Sequence, residues 1–161
     1  MDPARIVADH LIWEAIREEC SQAAANEPLL AGFLSHVVLS QPNLETALAY
    51  ILAAKLDNAT LPALSLRDII LDVLREEESI QNAIRADLQA VVYRDPAAPG
   101  YSSPLLYFKG FHSIQAYRVA HSYWERDRHA LALYLQSRIS EVFAVDIHPA
   151  ARIGKGIMFD H

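Results

Sequence analysis

Apolar side chains recur every three or four positions along most of this chain, which is the spacing that places them on one face of an α-helix. The pattern predicts seven helices before residue 144. Their predicted bounds are Leu11 to about Asn26, Leu29 to Leu39, Leu44 to Leu56, Leu66 to Leu74, Ile80 to Val92, Leu105 to Arg126, and about Arg128 to Phe143. The connections between them are short, which favours a compact helical array.

Polar and cyclic residues between these stripes predict where the helices begin and end. Ser40 and Pro42 precede the third helix as start signals, and Ser65 and Ser79 are the predicted N-caps of the fourth and fifth. Three prolines and a glycine within residues 94–104 predict a turn-rich break. The helix after this break carries apolar side chains on more than one face, so we expect it to be buried on several sides.

The pattern changes near the end of the chain. Large apolar residues stand six positions apart at Ile147, Ile153 and Phe159, with Ala151 and Ile157 each four residues after a lead position. A six-residue period is typical of a parallel β-helix, in which each hexad forms one flat face of a coil. We therefore expect a mainly α fold in which a β-helix begins.

This division predicts two parts: an α-helical domain over residues 1–145 and an incomplete hexapeptide-repeat domain over residues 146–161. A solenoid repeat buries its apolar face only against neighbouring coils, so two or three hexads do not make a finished domain. We expect the sequence to be the front part of a longer protein.

Composition narrows the class of protein. The 161 residues include 52% hydrophobic and 21% charged residues, which is typical of a globular domain. A net charge of −6 without a Lys/Arg cluster argues against nucleic-acid binding. The longest stretch without a charged residue, 28–44, contains two prolines and is too polar to span a membrane. The lone Cys20 allows no internal disulfide, and the first residues lack a secretory signal, so the expected location is the cytoplasm.

Histidines invite a metal hypothesis, but their spacing does not support it. No pair has the i, i+4 separation of a helical zinc site, and one cysteine cannot form a thiolate cluster. We therefore predict no metal site. The histidines expected on the surface or in helix packing are His10, His36, His112, His121 and His129.

Two acidic sites are candidates for chemistry. Asp95 ends the fifth predicted helix, where the spacing favours a turn residue whose carboxylate caps local backbone N–H groups. Asp146, Asp160 and His161 bracket the hexads, so the start of a β-helix offers one place where a carboxylate and an imidazole meet. Such a pair acts as a general base, because the carboxylate orients the ring and stabilises its protonated form.

Four sequence runs resemble the serine acetyltransferase family. They are Arg94–Ala97, Pro104–His112, Gln115–Arg118 and Val145–His161. The likeness is weak before about Leu44 and strong from Asp87 onward. The run Asp-Ile-His-Pro…Asp-His is specific to this family, whereas the hexads alone indicate only some hexapeptide-repeat acyltransferase.

This resemblance implies an enzyme that transfers the acetyl group of acetyl-CoA to the hydroxyl of L-serine, giving O-acetylserine for cysteine biosynthesis. It implies a helical N-terminal domain that helps assemble trimers into hexamers, followed by a left-handed parallel β-helix. Acetyl-CoA is implied as co-substrate, with no permanently bound cofactor. A C-terminal tail, absent from this sequence, is implied to bind O-acetylserine sulfhydrylase.

The resemblance also assigns roles to residues. His161 matches the general base that deprotonates the serine hydroxyl, and Asp146 matches its orienting carboxylate. Asp95 and Asp160 match acidic residues that hold the substrate serine. Because later coils of the β-helix are missing, we expect the 161-residue chain alone to be inactive.

Two alternatives remain. In the first, the helical part is an oligomerisation module without catalysis. In the second, the chain belongs to another hexapeptide-repeat acyltransferase that acts on a sugar or on homoserine. The long helical part before Asp146 counts against the second alternative.

Overall fold

The computed structural model describes residues 5–160, and eight α-helices account for most of that range. They are α1 (Ile12–Asn26), α2 (Ala31–Leu34), α3 (Leu44–Leu56), α4 (Ala63–Glu76), α5 (Glu78–Arg94), α6 (Ser102–Tyr107), α7 (Lys109–Glu125) and α8 (His129–Phe143). The short 3-10 turns Asp9–Leu11 and Pro28–Leu30 precede α1 and α2, and the π-helical turn Ser35–Leu39 follows α2. Within residues 5–160 there is no β-strand, so the predicted mainly α class is confirmed.

Helix starts depart from the sequence prediction at three places. Asn43, rather than Ser40 or Pro42, caps α3, where its Oδ1 accepts a 2.9 Å hydrogen bond from the amide of Thr46. The predicted caps Ser65 and Ser79 are wrong, because each lies inside a helix that has already begun. The serines gave misleading signals because a polar side chain in the first turn of a helix has the same spacing to the apolar stripe as a cap.

Backbone geometry explains the earlier start of α4 and α5. Pro62 has a fixed extended conformation, and its carbonyl accepts the first helical hydrogen bond of α4 from Leu66 at 3.1 Å. Glu77 is the single extended residue between α4 and α5. The side chain of Gln81 in α5 then donates to the carbonyl of Leu74 at 2.8 Å, satisfying one of the free carbonyls at the end of α4.

The predicted helix over Leu105–Arg126 is wrong as a single element, because Phe108 adopts an extended conformation between α6 and α7. Pro104 is tolerated in the first turn of α6, where its missing N–H has no helical partner. Apolar residues continue on several faces across the break, so periodicity alone does not reveal it.

Helix α7 lies at the centre of the fold, packed against α4, α5, α6 and α8. Thirteen consecutive or near-consecutive residues between Gly110 and Tyr123 are buried, which confirms the prediction of a helix buried on several sides. The polar members of this helix therefore sit in the protein interior, where each needs a hydrogen-bonding partner.

The apolar stripes of the surrounding helices complete the core. Ile16, Leu52, Leu74 and Leu88 are all fully buried and come from four different helices. In the described part of the chain, no helix combines the length and apolar character needed to cross a membrane.

Candidate functional site

The last described residues, 144–160, form an irregular extended stretch that we name the C-terminal segment. Helix α8 ends at Phe143, and its C-cap residue Ala144 adopts the left-handed conformation (φ 59°, ψ 32°) that is common where a helix terminates. The chain then turns back over the helical domain. The lead positions of the hexads, Ile147, Ile153 and Phe159, are each half-buried.

The C-terminal segment runs antiparallel to α7. The Nδ1 atom of His121 lies 2.7 Å from the carbonyl oxygen of Pro149, and because a carbonyl only accepts, this nitrogen carries the ring proton. One turn earlier in α7, the hydroxyl of Tyr117 donates to the carbonyl of Ala151. Burial raises the pKa of Tyr117 above its ordinary value, which keeps the hydroxyl protonated as a donor.

A buried ion pair holds the middle of the segment. Asp87 of α5 is fully buried, and its Oδ2 lies 2.8 Å from Nη2 and 3.1 Å from Nε of Arg118 in α7. The same Arg118 donates to the carbonyl of Gly154 at 2.8 Å and to that of Ile153 at 3.3 Å. The other carboxylate oxygen of Asp87 accepts the amide N–H of Ile157 at 2.8 Å.

This network joins three separate parts of the sequence. The side-chain amide of Gln115 adds a fourth hydrogen bond to the Asp87 carboxylate, at 2.8 Å. The two oxygens of one buried carboxylate therefore serve α7 on one side and the C-terminal segment on the other. Charged hydrogen bonds in such a dry site are stronger than those between neutral groups.

The sequence pattern assigns no role to Asp87 or to its partners. A signal was present, because Asp87 lies three residues after Ile84 and one before Leu88, on the apolar face of α5. A charged residue on the buried face of a helix needs a partner of opposite charge. The partner was not identifiable, because the pairing across 31 positions depends on how α5 and α7 pack.

Two further contacts fix the segment near its end. Arg94, the last residue of α5, donates from Nη1 to the carbonyl of Gly156 at 3.0 Å. Gly156 has a positive φ of 77°, a conformation that favours glycine. Near the start of α7, the backbone of Phe159 passes so close to Gly110 that a Cβ atom added there would overlap the Phe159 carbonyl oxygen.

Asp95, the first predicted substrate-binding residue, directly follows α5 and is largely buried, with 8% exposure. Its Oδ1 accepts the amide N–H of Ala97 at 2.8 Å, and its carbonyl accepts that of Ala98 at 3.1 Å. The turn role that the spacing predicted is therefore confirmed. A substrate role for the carboxylate stays a prediction.

Asp146 and Asp160 lie near the two ends of the C-terminal segment. Asp146 is exposed and accepts a hydrogen bond from the side-chain amide of Gln136 in α8 at 2.9 Å. Asp160 is exposed and follows Phe159, the residue packed on Gly110. His161 lies outside the described residues, so its predicted pairing with Asp146 stays a prediction.

Two histidines of the helical domain, His112 and His129, pack against other residues of the fold. His112 is fully buried, and its Nε2 lies 2.6 Å from the carbonyl oxygen of Leu105. Burial lowers the pKa of His112 to about 4, so the ring is neutral near pH 7 and donates from Nε2. His129 stacks on Trp124 with ring centroids 3.8 Å apart. Between residues 5 and 160, no group of three or more His, Cys, Asp or Glu side chains is placed to hold a metal ion.

A groove of about 390 Å³ opens between α5, α7 and the C-terminal segment. Glu77, Arg118, His121, Glu125 and Lys155 contribute its charged and polar wall. None of the three described carboxylates predicted from the sequence lines it. The groove and the predicted substrate-binding residues therefore occupy different parts of this surface.

The described residues form a helical domain in which a buried ion pair anchors an extended C-terminal segment. The family described as "Serine acetyltransferase, N-terminal" matches residues 12–116. The chain belongs to the serine acetyltransferase family, of which it represents the N-terminal part.

Known serine acetyltransferases are similar in sequence to this protein along almost its whole chain. A serine acetyltransferase of Haemophilus influenzae is 53% identical over 150 residues, which is 93% of this chain and 56% of the relative. A solved serine acetyltransferase in complex with CoA is 51% identical, with a TM-score of 0.92, over 95% of this chain and 65% of that one. A soybean serine acetyltransferase complexed with serine is 49% identical, with a TM-score of 0.91, over 93% and 62% of the two chains. The chain thus spans about half the length of the bacterial relative.

Proposed function

We propose that this chain forms the helical domain and the first part of the catalytic domain of a serine O-acetyltransferase. The observation that carries the proposal is the match to the family together with the anchoring of residues 149–159 on α5 and α7. One solved relative holds CoA and another holds serine, which supports acetyl-CoA and L-serine as the two substrates. The product is O-acetylserine, the activated precursor in cysteine biosynthesis.

The proposed chemistry begins with the substrate hydroxyl. A serine hydroxyl is a weak nucleophile until a base removes its proton as it attacks the thioester carbonyl of acetyl-CoA. We assign the base role to His161 and the orienting role to Asp146. The Asp146 carboxylate is exposed and bonded only locally to Gln136 within the described contacts, so it is accessible at the edge of the domain.

The substrate is also a zwitterion, and its ammonium group requires acidic partners. We assign this role to Asp95 and Asp160. Asp95 directly follows Arg94, which is bonded to Gly156 of the C-terminal segment, and Asp160 follows Phe159 on Gly110. Each proposed carboxylate thus lies one residue from a contact that joins the helical domain to the segment.

The finer architecture is part of the same proposal. Residues 146–161 would open a left-handed parallel β-helix that is completed by further hexads, while residues 1–145 form the helical domain. The proposed whole enzyme is cytoplasmic, assembles as trimers or hexamers, and binds O-acetylserine sulfhydrylase through a C-terminal tail.

One observation favours the assembly role of the helical domain as a second function. Several large apolar side chains are exposed around α2 and α6: Leu29 is 88% exposed, Tyr107 54% and Phe33 42%. Phe33 and Tyr107 stack with ring centroids 6.4 Å apart, so they form one apolar surface. Exposed patches of this kind mark protein contacts. Light scattering of the 161-residue chain tests this role, and a monomer at all concentrations would contradict it.

Acetyl transfer is tested in a longer protein, named here the extended chain, in which residues 1–161 are followed by the remaining part of the H. influenzae relative. We expect release of free CoA thiol from acetyl-CoA that depends on L-serine. Homoserine and glucosamine serve as competing acceptors, and faster transfer to either one would contradict the proposal. The 161-residue chain alone is expected to give no serine-dependent release.

The base assignment is tested by His161→Asn in the extended chain. Loss of a general base lowers the rate by about 10²- to 10⁴-fold, without a comparable change in the melting temperature. His10→Asn, at an exposed position remote in sequence, is the matched control and is expected to keep the parent rate. A His161→Asn rate within threefold of the parent would exclude His161 as the base.

A further inference from the structure

The hydrogen bonds that side chains of α5 and α7 make with the C-terminal segment have a feature in common. They involve backbone atoms of the segment: the carbonyls of Pro149, Ala151 and Gly154 and the amide of Ile157. Such contacts fix where the backbone runs, largely independently of which side chains the segment carries. The helical domain therefore acts as a template for the path of the segment.

Two contacts between the C-terminal segment and the helical domain resist small displacements. The Asp87–Arg118 pair is almost completely buried, with side-chain exposures of 0% and 7%, and it bonds the segment from both of its members. At Gly110, the Phe159 backbone occupies the space of a side chain, and a Cβ atom added there would also lie 3.1 Å from the Phe159 Cβ. Because the obstructing atom is a backbone oxygen, a larger residue at position 110 would have to move the segment.

The segment enters the proposed active site directly after these contacts. Ile157 is three residues and Phe159 one residue before Asp160, so a shift at either point moves the proposed substrate carboxylate. An error of about 1 Å in the placement of a reacting or binding group is enough to lower a rate by about 100-fold.

We propose that Gly110 and the Asp87–Arg118 pair are positioning residues for acetyl transfer, which set the location of Asp160 by docking residues 153–159 on α5 and α7. This inference rests on the proposed function. None of the three residues is assigned a contact with substrate. Their effect passes through the backbone of the C-terminal segment.

The sharpest test is Gly110→Ala in the extended chain. Alanine is intrinsically a better helix former than glycine, so α7 itself is not weakened, whereas Phe159 must move. We expect kcat/KM for L-serine to fall by about 10- to 100-fold, with the KM for L-serine raised and the KM for acetyl-CoA within twofold of the parent. A merely structural role would change both KM values or neither.

Gly32→Ala is the matched control. Gly32 also lies in a helix, α2, but a Cβ atom added there has no other atom within 4 Å. It is expected to keep the parent values of kcat and both KM values. The two variants make the same chemical change and differ in whether the C-terminal segment is in the way.

The ion pair is tested by amide hydrogen exchange on the 161-residue chain. In Asp87→Asn, a single amide oxygen replaces the two that now serve Arg118 and Ile157. We expect exchange of the Ile157 amide, which donates to Asp87, to be at least about tenfold faster, while exchange in the centre of α3 changes less. Gly110→Ala is measured in the same way. This variant keeps the ion pair, so it tests the docking of the segment even if Asp87→Asn fails to fold.

The outcomes separate this inference from the function on which it rests. An extended parent that does not acetylate L-serine contradicts the proposed function and this inference together. An active parent with Gly110→Ala within twofold of its kcat/KM overturns the inference alone. Unchanged exchange of the Ile157 amide in both variants overturns it as well.

Discussion

The carboxylate of Asp87 accepts a 2.8 Å hydrogen bond from the backbone amide of Ile157, 70 positions later in the chain. The first residue is in the middle of α5 and the second is in the C-terminal segment. A charged group that is fully buried is tolerated only with partners, and here one partner is the segment itself. Helical domain and C-terminal segment are consequently parts of one interaction network.

Because the Asp87 network is buried, we expect Asp87→Asn to lose much of its stability. Removing one member of a buried ion pair leaves the other charge uncompensated, which costs about 3–5 kcal/mol of unfolding free energy. Urea unfolding of the 161-residue chain measures it. Glu141→Gln is the control, because Glu141 is exposed and its pair with Arg138 contributes at most about 0.5 kcal/mol. Equal losses in the two variants would contradict the buried-pair assignment.

Burial of His112 predicts a stability that depends on pH. Its folded pKa of about 4 is below the value of 6.5 for a free histidine, so between these values the unfolded chain binds more protons. This contribution to stability is complete above pH 6.5 and is lost as the pH falls towards 4. At about 1.4 kcal/mol for each pKa difference of one, it amounts to about 2 kcal/mol between pH 7 and pH 5.

His112→Gln removes the titrating group but keeps an N–H donor for the Leu105 carbonyl. We expect the unfolding free energy of this variant to vary less between pH 7 and pH 5 than that of the parent, by about 2 kcal/mol. His10→Gln, at an exposed site, is expected to keep the parent dependence. If His112→Gln retains the full dependence, other groups cause it.

We expect a substitution at Ala144 to stabilise the protein. Its left-handed conformation costs a residue with a Cβ atom roughly 1 kcal/mol, which glycine avoids. Ala144→Gly is expected to raise the unfolding free energy by about 0.5–1 kcal/mol. Ala54→Gly, in the regular part of α3, is expected to lower it by about 1 kcal/mol. Thermal unfolding of both variants tests the opposite signs.

We expect the thiol of Cys20 to react slowly with labelling reagents in the folded chain. Burial and, to a lesser degree, the charge of Glu19 raise its pKa from 9.0 to about 11, and the residue is 1% exposed. At pH 8 the thiolate fraction is about 100-fold lower than for a free thiol, so labelling by an aromatic disulfide reagent should be at least that much slower than in denaturant. Rapid labelling of the native chain would show that α1 opens readily.

Helices with a single apolar stripe were predictable from the sequence. The stripe of α4, with Leu66, Ile70 and Leu74, determines both the existence of this helix and its buried face, because spacing along one helix is local information. The break at Phe108 was not predictable, since apolar residues on several faces give the same pattern with or without a break. The start of α5 was also missed, because Glu77 has no distinct capping signal.

The candidate site divides in the same way. Asp95 was identified by its position after a helix, and its local turn role follows from the residues around it. Asp160 and His161 were candidates because of their places around the hexads, and the resemblance supplied their roles. Gly110 was missed, because a close approach by residue 159 leaves no mark on the local sequence beyond the glycine itself.

The sequence by itself determined the helical class, most helix positions, the change of period at Ile147 and the family resemblance, because each depends on residues close together in the chain. Only the tertiary structure decided that Asp87 pairs with Arg118 and that both hold the C-terminal segment. That outcome depends on how α5 and α7 pack, and packing is set by the shapes of many side chains at once. The sequence shows that a charged residue on an apolar stripe needs a partner, and only the packing of the helices shows which residue that partner is.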